Sequence, residues 1–304
     1  PPAAGVSSSS ALVVATFMAL STINDLTSRT DYRDNIKSAE DLAGYLGCVE
    51  NGLDFKALHG HAGVGTFGGS EDQTAILCAV SGALVQYSFC PVRFERAIPL
   101  PVNYSFVVGA SGVLAEKTGA ALELYNDVSR RLSSGLECWR RTTGRNDNSM
   151  GAAIASSAAA PDLIRGALAA SDDETYSAQS LLRRFEQFHS ETNEIIPRAG
   201  DAMLQCDLAE FGALVAQSQA GAEESLMNQT PPTISLVRTA RELGAAAASA
   251  FGAGFGGSVW ALVESRSVDA FLQRWSATYH GDFPGQSERS DFFVTRAGPP
   301  VTRL

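Results

Sequence analysis

Basic residues and cysteine are scarce in this sequence. Lys and Arg supply 23 of the 304 residues against 33 Asp and Glu, for a formal net charge of -10. The clustered cations that neutralise a phosphate backbone are therefore missing, which argues against broad nucleic-acid binding. A single nucleotide asks for less, since a few amides, a divalent cation and a local base suffice on an acidic protein. The five cysteines (Cys48, Cys78, Cys90, Cys138, Cys206) are odd in number, widely spaced and free of any C-x-x-C pair. Neither a zinc site nor a disulfide framework follows from them, and a reducing, cytoplasmic setting fits best. Apolar stretches are interrupted well short of a membrane span. No G-x-x-x-x-G-K-S/T run occurs, so a Walker A phosphate loop is excluded. Gly (28) and Pro (12) are at ordinary levels, which disfavours collagenous or disordered classes. With 45% hydrophobic residues the chain can pack one large domain or two modest ones.

Hydrophobic spacing predicts helices over 11–26, 38–46, 118–132, 181–196, 201–218, 234–250 and 268–279. Strands are expected at 84–89, 104–109, 258–264 and 292–295, and 74–82 reads as a short apolar segment. Residues 147–161, rich in Ala and Ser, read as a loose insertion. Strands and helices mix without strict βαβ alternation, which favours α+β over a doubly wound sheet. The shift from glycine-rich loops to long helices places a domain boundary near Leu100, giving domains 1–99 and 100–304.

Three segments carry chemistry. Gly5-Val6-Ser7-Ser8-Ser9-Ser10-Ala11 runs from a turn into a helix. The free N–H groups and positive dipole end of a helix start attract phosphate. Gly5 allows close backbone approach, and serine hydroxyls are hard ligands suited to Mg²⁺. The plain alternative is a polar linker that caps a helix. In Gly65-Thr66-Phe67-Gly68-Gly69-Ser70-Glu71-Asp72-Gln73, spaced glycines precede adjacent carboxylates. Asp72 could accept a proton from a substrate hydroxyl. An ordinary Asp has a pKa of about 3.9, and phosphoryl transfer tolerates so weak a base because positioning and charge stabilisation dominate. Alternatively Glu71 or Asp72 caps a helix. Gly252-Ala253-Gly254-Phe255-Gly256-Gly257 satisfies G-x-G-x-x-G literally. The dinucleotide fingerprint, however, follows a strand and opens a helix, whereas here a helix is expected before the glycines and a strand after them.

Taken in order, these segments resemble the signatures of the superfamily of galactokinase, homoserine kinase, mevalonate kinase and phosphomevalonate kinase (GHMP kinases). The serine loop is similar to its second signature and 252–257 to its third. Gly69 to Gln73 is similar to the galactokinase loop that bears the catalytic base. Tyr125-Asn126 with Arg130, and His189 with Glu191 and Glu194, resemble further galactokinase segments. The resemblance implies an N-terminal domain like the second domain of ribosomal protein S5 and a ferredoxin-like C-terminal domain. It implies an ATP- and Mg²⁺-dependent transfer to a small sugar such as galactose or a related aldose, by a monomer or homodimer acting on neither nucleic acid nor membrane. By the same resemblance, Gly5, Ser7, Ser8, Ser9, Gly252, Gly254 and Gly256 would hold or support the ATP phosphates. Asp72 would be the base, Gly69 and Tyr125 would line the sugar pocket, and Ser9 would bind Mg²⁺.

This chain departs from the family pattern in three ways. The opening signature, with its Glu-His-x-Asp run and an Arg that partners the base, is absent, so the sequence reads as truncated. Gly60 stands where the family places a Mg²⁺-binding Glu, leaving Glu50 or Glu71 as substitutes. Ala3 replaces a Gly, and Ser249-Ala250-Phe251 replaces a Met-Thr pair. Two other functions stay open: a non-catalytic sugar and nucleotide sensor on the same fold, and a kinase of a non-sugar such as mevalonate or homoserine. The four histidines (His59, His61, His189, His280) lack metal-ligand spacing and read as structural.

Overall fold

A computed structural model describes residues 4–115 and 119–302. It is a mixed helix and sheet structure of the α+β class. The first part of the chain forms α1 (Ser8–Ile23), α2 (Thr30–Asn35), α3 (Ala39–Asn51) and α4 (Glu71–Cys78). An antiparallel hairpin of β1 (Ala83–Ser88) and β2 (Arg93–Pro99) follows. Next come β3 (Tyr104–Ala110), α5 (Gly119–Thr143), α6 (Met150–Ala155), α7 (Ala160–Ala169) and α8 (Ala178–Ser190). A π-helical stretch, Glu191–Ile195, joins α8 to α9 (Ile196–Leu204). The remainder is α10 (Leu208–Gly221), α11 (Pro231–Glu242), β4 (Ala247–Ala250), β5 (Ser258–Glu264), α12 (Val268–Asp282) and β6 (Asp291–Thr295).

The four-stranded sheet runs in the order β4-β5-β3-β6, and every pairing is antiparallel. Strand, helices, strand, strand, helix, strand with that spatial order is ferredoxin-like connectivity. Side chains alternate across β5 with the period of two that a pleated strand imposes. Val259, Ala261 and Val263 enter one core with Leu236 and Val237 of α11 and with Phe271, Trp275 and Tyr279 of α12. Trp260 and Leu262 face the opposite layer, with Met203 of α9, Phe211 and Val215 of α10, and Ile98 of β2. Covered on both faces, β5 reads in sequence as an unbroken apolar run. A third core joins α5 to α8 around Trp139, Ile164, Leu168, Leu181 and Phe185.

Three sequence expectations change. Residues 147–161 are no loose insertion, because they include α6 and the start of α7, with Met150, Ala153 and Ala160 buried in the third core. Ser149 caps α6 by accepting the Ala152 N–H. The helix expected over 201–218 is two helices, split where Cys206 adopts φ 57° and Asp207 caps the Glu210 N–H. The helix expected over 234–250 ends at Glu242; Gly244 takes φ 99° and the chain re-emerges as β4. Pairing of β4 with β5 overrides the helix propensity of its alanines. β2 and α2, both rich in charged residues, carry no apolar signal of their own and had no counterpart in the sequence reading. The expected helix 118–132 corresponds to the longer α5, with Thr118 outside the described residues.

Candidate functional site

The serine loop and the 252–257 loop meet through backbone packing. Gly5 (φ 76°) and Gly257 (φ 86°) cross so closely that a Cβ on Gly257 would lie 2.8 Å from the Gly5 Cα. The Ser258 hydroxyl donates to the Ala4 carbonyl and fastens the crossing. Residues 251–257 join β4 to β5, so a strand rather than the expected helix precedes the glycines. A strand also follows them, and the dinucleotide reading fails for want of a helix at that point. Gly252, Gly254 and Gly256 all take positive φ. Gly254 sits against the Asn228 carbonyl, 2.1 Å from where its Cβ would be, and the Asn228 amide donates to Ala253 O at 2.9 Å. Ala3, a departure from the family pattern, lies outside the described residues.

The serine run enters α1 earlier than its apolar pattern indicates, at Ser8. Ser7 precedes it in the left-handed region (φ 64°), and its side chain makes no capping bond. Its buried hydroxyl has no hydrogen-bond partner among the described residues. The first turn contains no acidic residue, so the N–H groups of Ser8, Ser9 and Ser10 and the positive end of the dipole remain available to an anion.

Glu50, in the last turn of α3, is only 7% exposed. Its carboxylate accepts from Ser9 Oγ at 2.7 Å, Ser10 Oγ at 2.9 Å and Gln73 Nε2 at 2.6 Å. No Lys or Arg pairs with it among the described residues. A buried carboxylate without a cation is costly, and three donors offset only part of that cost. The Ser9 hydroxyl and this carboxylate form a hard-oxygen pair of the kind that, with water and phosphate oxygens, suits Mg²⁺. Among the described residues no group of three or more His, Cys, Asp or Glu could hold a metal, so such an ion would depend on its nucleotide for further ligands. Glu71 lies exposed in the first turn of α4. Gly60 has no room for the family's glutamate, since its Cβ would begin 2.6 Å from the Leu53 carbonyl carbon.

α4 crosses α3 at a glycine, where a Cβ on Gly47 would lie 2.7 Å from Ser70 Cβ. Gln73 points inward from α4 to Glu50 and Ser10. Asp72, its neighbour, is half-buried in the first turn, and its carboxylate makes no hydrogen bond or ion pair among the described residues. The preceding loop is held by asparagines. Asn126, 2% exposed, accepts from Phe67 N and donates to Gly65 O, each at 2.8 Å. Asn51 accepts from Thr66 Oγ1 and Gly68 N, each at 2.9 Å. Beside this loop the Tyr125 hydroxyl faces Gly68, 2.8 Å from the position of a Cβ there. Gly69 underlies the exposed ring of Phe89 from the β1–β2 turn, at 2.9 Å by the same measure. Arg130 stacks over Phe67, its guanidinium carbon 5.6 Å from the ring centroid.

His189 packs by its ring against Phe185, at 5.8 Å between centroids, and His280 shares a 2.8 Å hydrogen bond with Ser290. Glu191 lies in the π-helical stretch and accepts from Ser218 at 2.8 Å; burial pushes its carboxyl up. Ser10, Asn51 and Gln73 had no assigned role in the sequence reading, although Gln73 adjoins Asp72 and Asn51 adjoins Glu50. The left-handed glycine that ends α3, Gly52, was the one local sign that this helix terminus is built to receive a loop.

Residues 201–281, from α9 through α12, match the family GHMP kinases C terminal. A galactokinase of Roseiflexus sp. (strain RS-1) is 28% identical over 310 positions, which cover 100% of this chain and 68% of that protein. The structure of Lactococcus lactis galactokinase complexed with galactose shares the fold at a TM-score of 0.71 and 22% identity, over 100% of this chain and 69% of that one. The family match over 201–281, the sequence likeness along the whole chain and the shared fold together support a likeness to the galactokinases among the GHMP kinases.

Proposed function

We propose that the protein is an ATP-dependent sugar kinase that transfers the γ-phosphate of ATP to a hydroxyl of galactose or a related aldose. The observation that carries this reading is the Glu50 carboxylate, which joins the serines at the start of α1 to the helix that bears Asp72. Phosphate and acceptor machinery thereby meet at one buried group.

In this reading the N–H groups of Ser8 to Ser10 bind the nucleotide phosphates, and the Gly5–Gly257 crossing sets the height of that loop. Ser9 and Glu50 hold Mg²⁺, which when bound neutralises charge developing on the phosphate oxygens. The loop from Gly65 to Gly69 and Tyr125 receive the sugar. Asp72 takes the proton of the acceptor hydroxyl as its oxygen bonds to the γ-phosphorus. The bond from that phosphorus to the bridging oxygen of ADP breaks in the same displacement, so the products are a sugar phosphate, ADP and a protonated Asp72. Little covalent work is asked of the protein, because positioning and electrostatics supply most of the rate.

The test is ADP release from Mg·ATP across a panel of aldoses, using protein expressed from the complete open reading frame. Sugar-dependent release with one preferred aldose is the expected result. Sugar and ATP binding by calorimetry without any release would replace the kinase reading with that of a sensor.

A further inference from the structure

The last turn of α3 sends consecutive residues to different loops. Glu50 directs its carboxylate to Ser9 and Ser10, while its backbone carbonyl accepts from Val64 N at 2.9 Å. Asn51 directs its side-chain oxygen to Thr66 Oγ1 and Gly68 N, each at 2.9 Å, and its amide nitrogen to Gly47 O at 2.7 Å. The amide orientation is fixed by chemistry, since the Gly47 carbonyl only accepts and the Gly68 N–H only donates.

The helix end does not depend on Asn51. Gly52 (φ 71°) terminates α3 in the left-handed conformation, and Leu53 N donates to Cys48 O at 2.8 Å. The loop needs the clamp more than the helix does. Residues 60–69 contain Gly60, Gly63, Gly65, Gly68 and Gly69 and form no regular element. Ordering such a chain is entropically expensive. It is threaded closely onto the α3 terminus, with a Cβ on Gly63 falling 2.4 Å from Asn51 C. From Thr66 to Gly68, each residue then donates a hydrogen bond to the side-chain oxygen of Asn51 or Asn126. Gly68, the far end of the Asn51 clamp, faces the Tyr125 hydroxyl.

We propose that Asn51 is a positioning residue for the acceptor sugar. It holds Thr66 to Gly68 against Tyr125 from the same helical turn through which Glu50 holds the serine loop, so order in the sugar loop and order in the phosphate loop are coupled. The proposal rests on the reading above, in which this loop and Tyr125 receive the sugar.

Asn51→Ala and Asn51→Asp test it, with initial rates measured against sugar at saturating Mg·ATP and against Mg·ATP at saturating sugar, and sugar affinity measured by calorimetry. Ala removes the acceptor shared by Thr66 and Gly68. Asp keeps that acceptor, gives up the bond to Gly47 and adds a carboxylate charge. In the Ala variant the sugar KM and Kd are expected to rise about tenfold, the usual scale for one well-placed hydrogen bond. The rise should exceed any fall in kcat, and the tightening of ATP binding by sugar that the proposal predicts for the wild type should be lost in this variant. The Asp variant should recover most of the sugar affinity. Sugar KM and Kd within twofold of wild type in the Ala variant would overturn the proposal while leaving the kinase reading intact, as would an Asp variant no better than Ala. A wild-type protein with neither sugar-dependent turnover nor sugar binding would overturn both.

Discussion

The side-chain amide of Gln73 donates to the Glu50 carboxylate at 2.6 Å, and this bond decides where the residue before it points. Successive side chains of an α-helix diverge by about 100° at 3.6 residues per turn. With Gln73 drawn inward at 1% exposure, Asp72 turns toward the open side of α4. Replacing Gln73 by Ala removes a charge-assisted hydrogen bond and leaves a cavity, which should cost about 3 kcal/mol. Urea unfolding measures this loss. A change under about 0.5 kcal/mol, the usual range for surface substitutions, would mean that the link supports nothing.

Asp72→Asn tests the base. The amide preserves size and polarity but cannot take a proton at the acceptor hydroxyl. Turnover should fall by about 10²- to 10⁴-fold, the usual contribution of a positioned base, while the ATP Kd stays near the wild-type value. Single-turnover ADP release and calorimetry separate the two effects. Near-normal turnover would remove Asp72 from the chemistry.

Ser9→Ala tests the proposed metal pair. The hydroxyl lies 2.7 Å from Glu50 Oε1, and its loss leaves the carboxylate with Ser10 and Gln73 as donors. The expected outcome is a higher Mg²⁺ concentration for half-maximal activity, with the same rate recovered once Mg²⁺ saturates. An unchanged Mg²⁺ titration would leave Ser9 as part of the helix start and nothing more.

These roles were unequally legible in the sequence. Ser9 and Asp72 sit in short local patterns whose chemistry can be named from neighbouring residues. Glu50 remained one of two candidates because its partners lie 23 to 41 residues away, and its bonds to them arise only when α1, α3 and α4 pack together. Asn51 and Gln73 were opaque for the same reason. In the fold, β5 was read with its observed limits, since a strand buried on both faces announces itself as an apolar run. β4 was read as helix because Ala245 to Ala248 favour one intrinsically, and only the edge of β5 makes them a strand. The segment 147–161 looked loose because small Ala and Ser residues dominated the reading. Its order comes from burying Met150, Ala153, Ile154 and Ala160, a tertiary term that no local window contains.

Glu191 predicts the pH dependence of stability at the junction of α8 and α9. Burial pushes its carboxyl above the ordinary value of 4.5, and the Ser218 hydroxyl offsets part of the shift. A carboxyl with a raised pKa holds its proton in the folded state after the unfolded chain has released it. Its contribution to stability is therefore fully present below about 4.5 and is lost as pH rises through the folded value. Glu191→Gln keeps an oxygen for Ser218 and never ionises, so it lacks that loss. The two proteins should have similar urea midpoints near pH 4, roughly where an ordinary Glu titrates, and the Gln variant should be the more stable at neutral pH. A Gln variant less stable at neutral pH would show that the folded protein favours the charged carboxylate, and burial would then not be the dominant influence on Glu191.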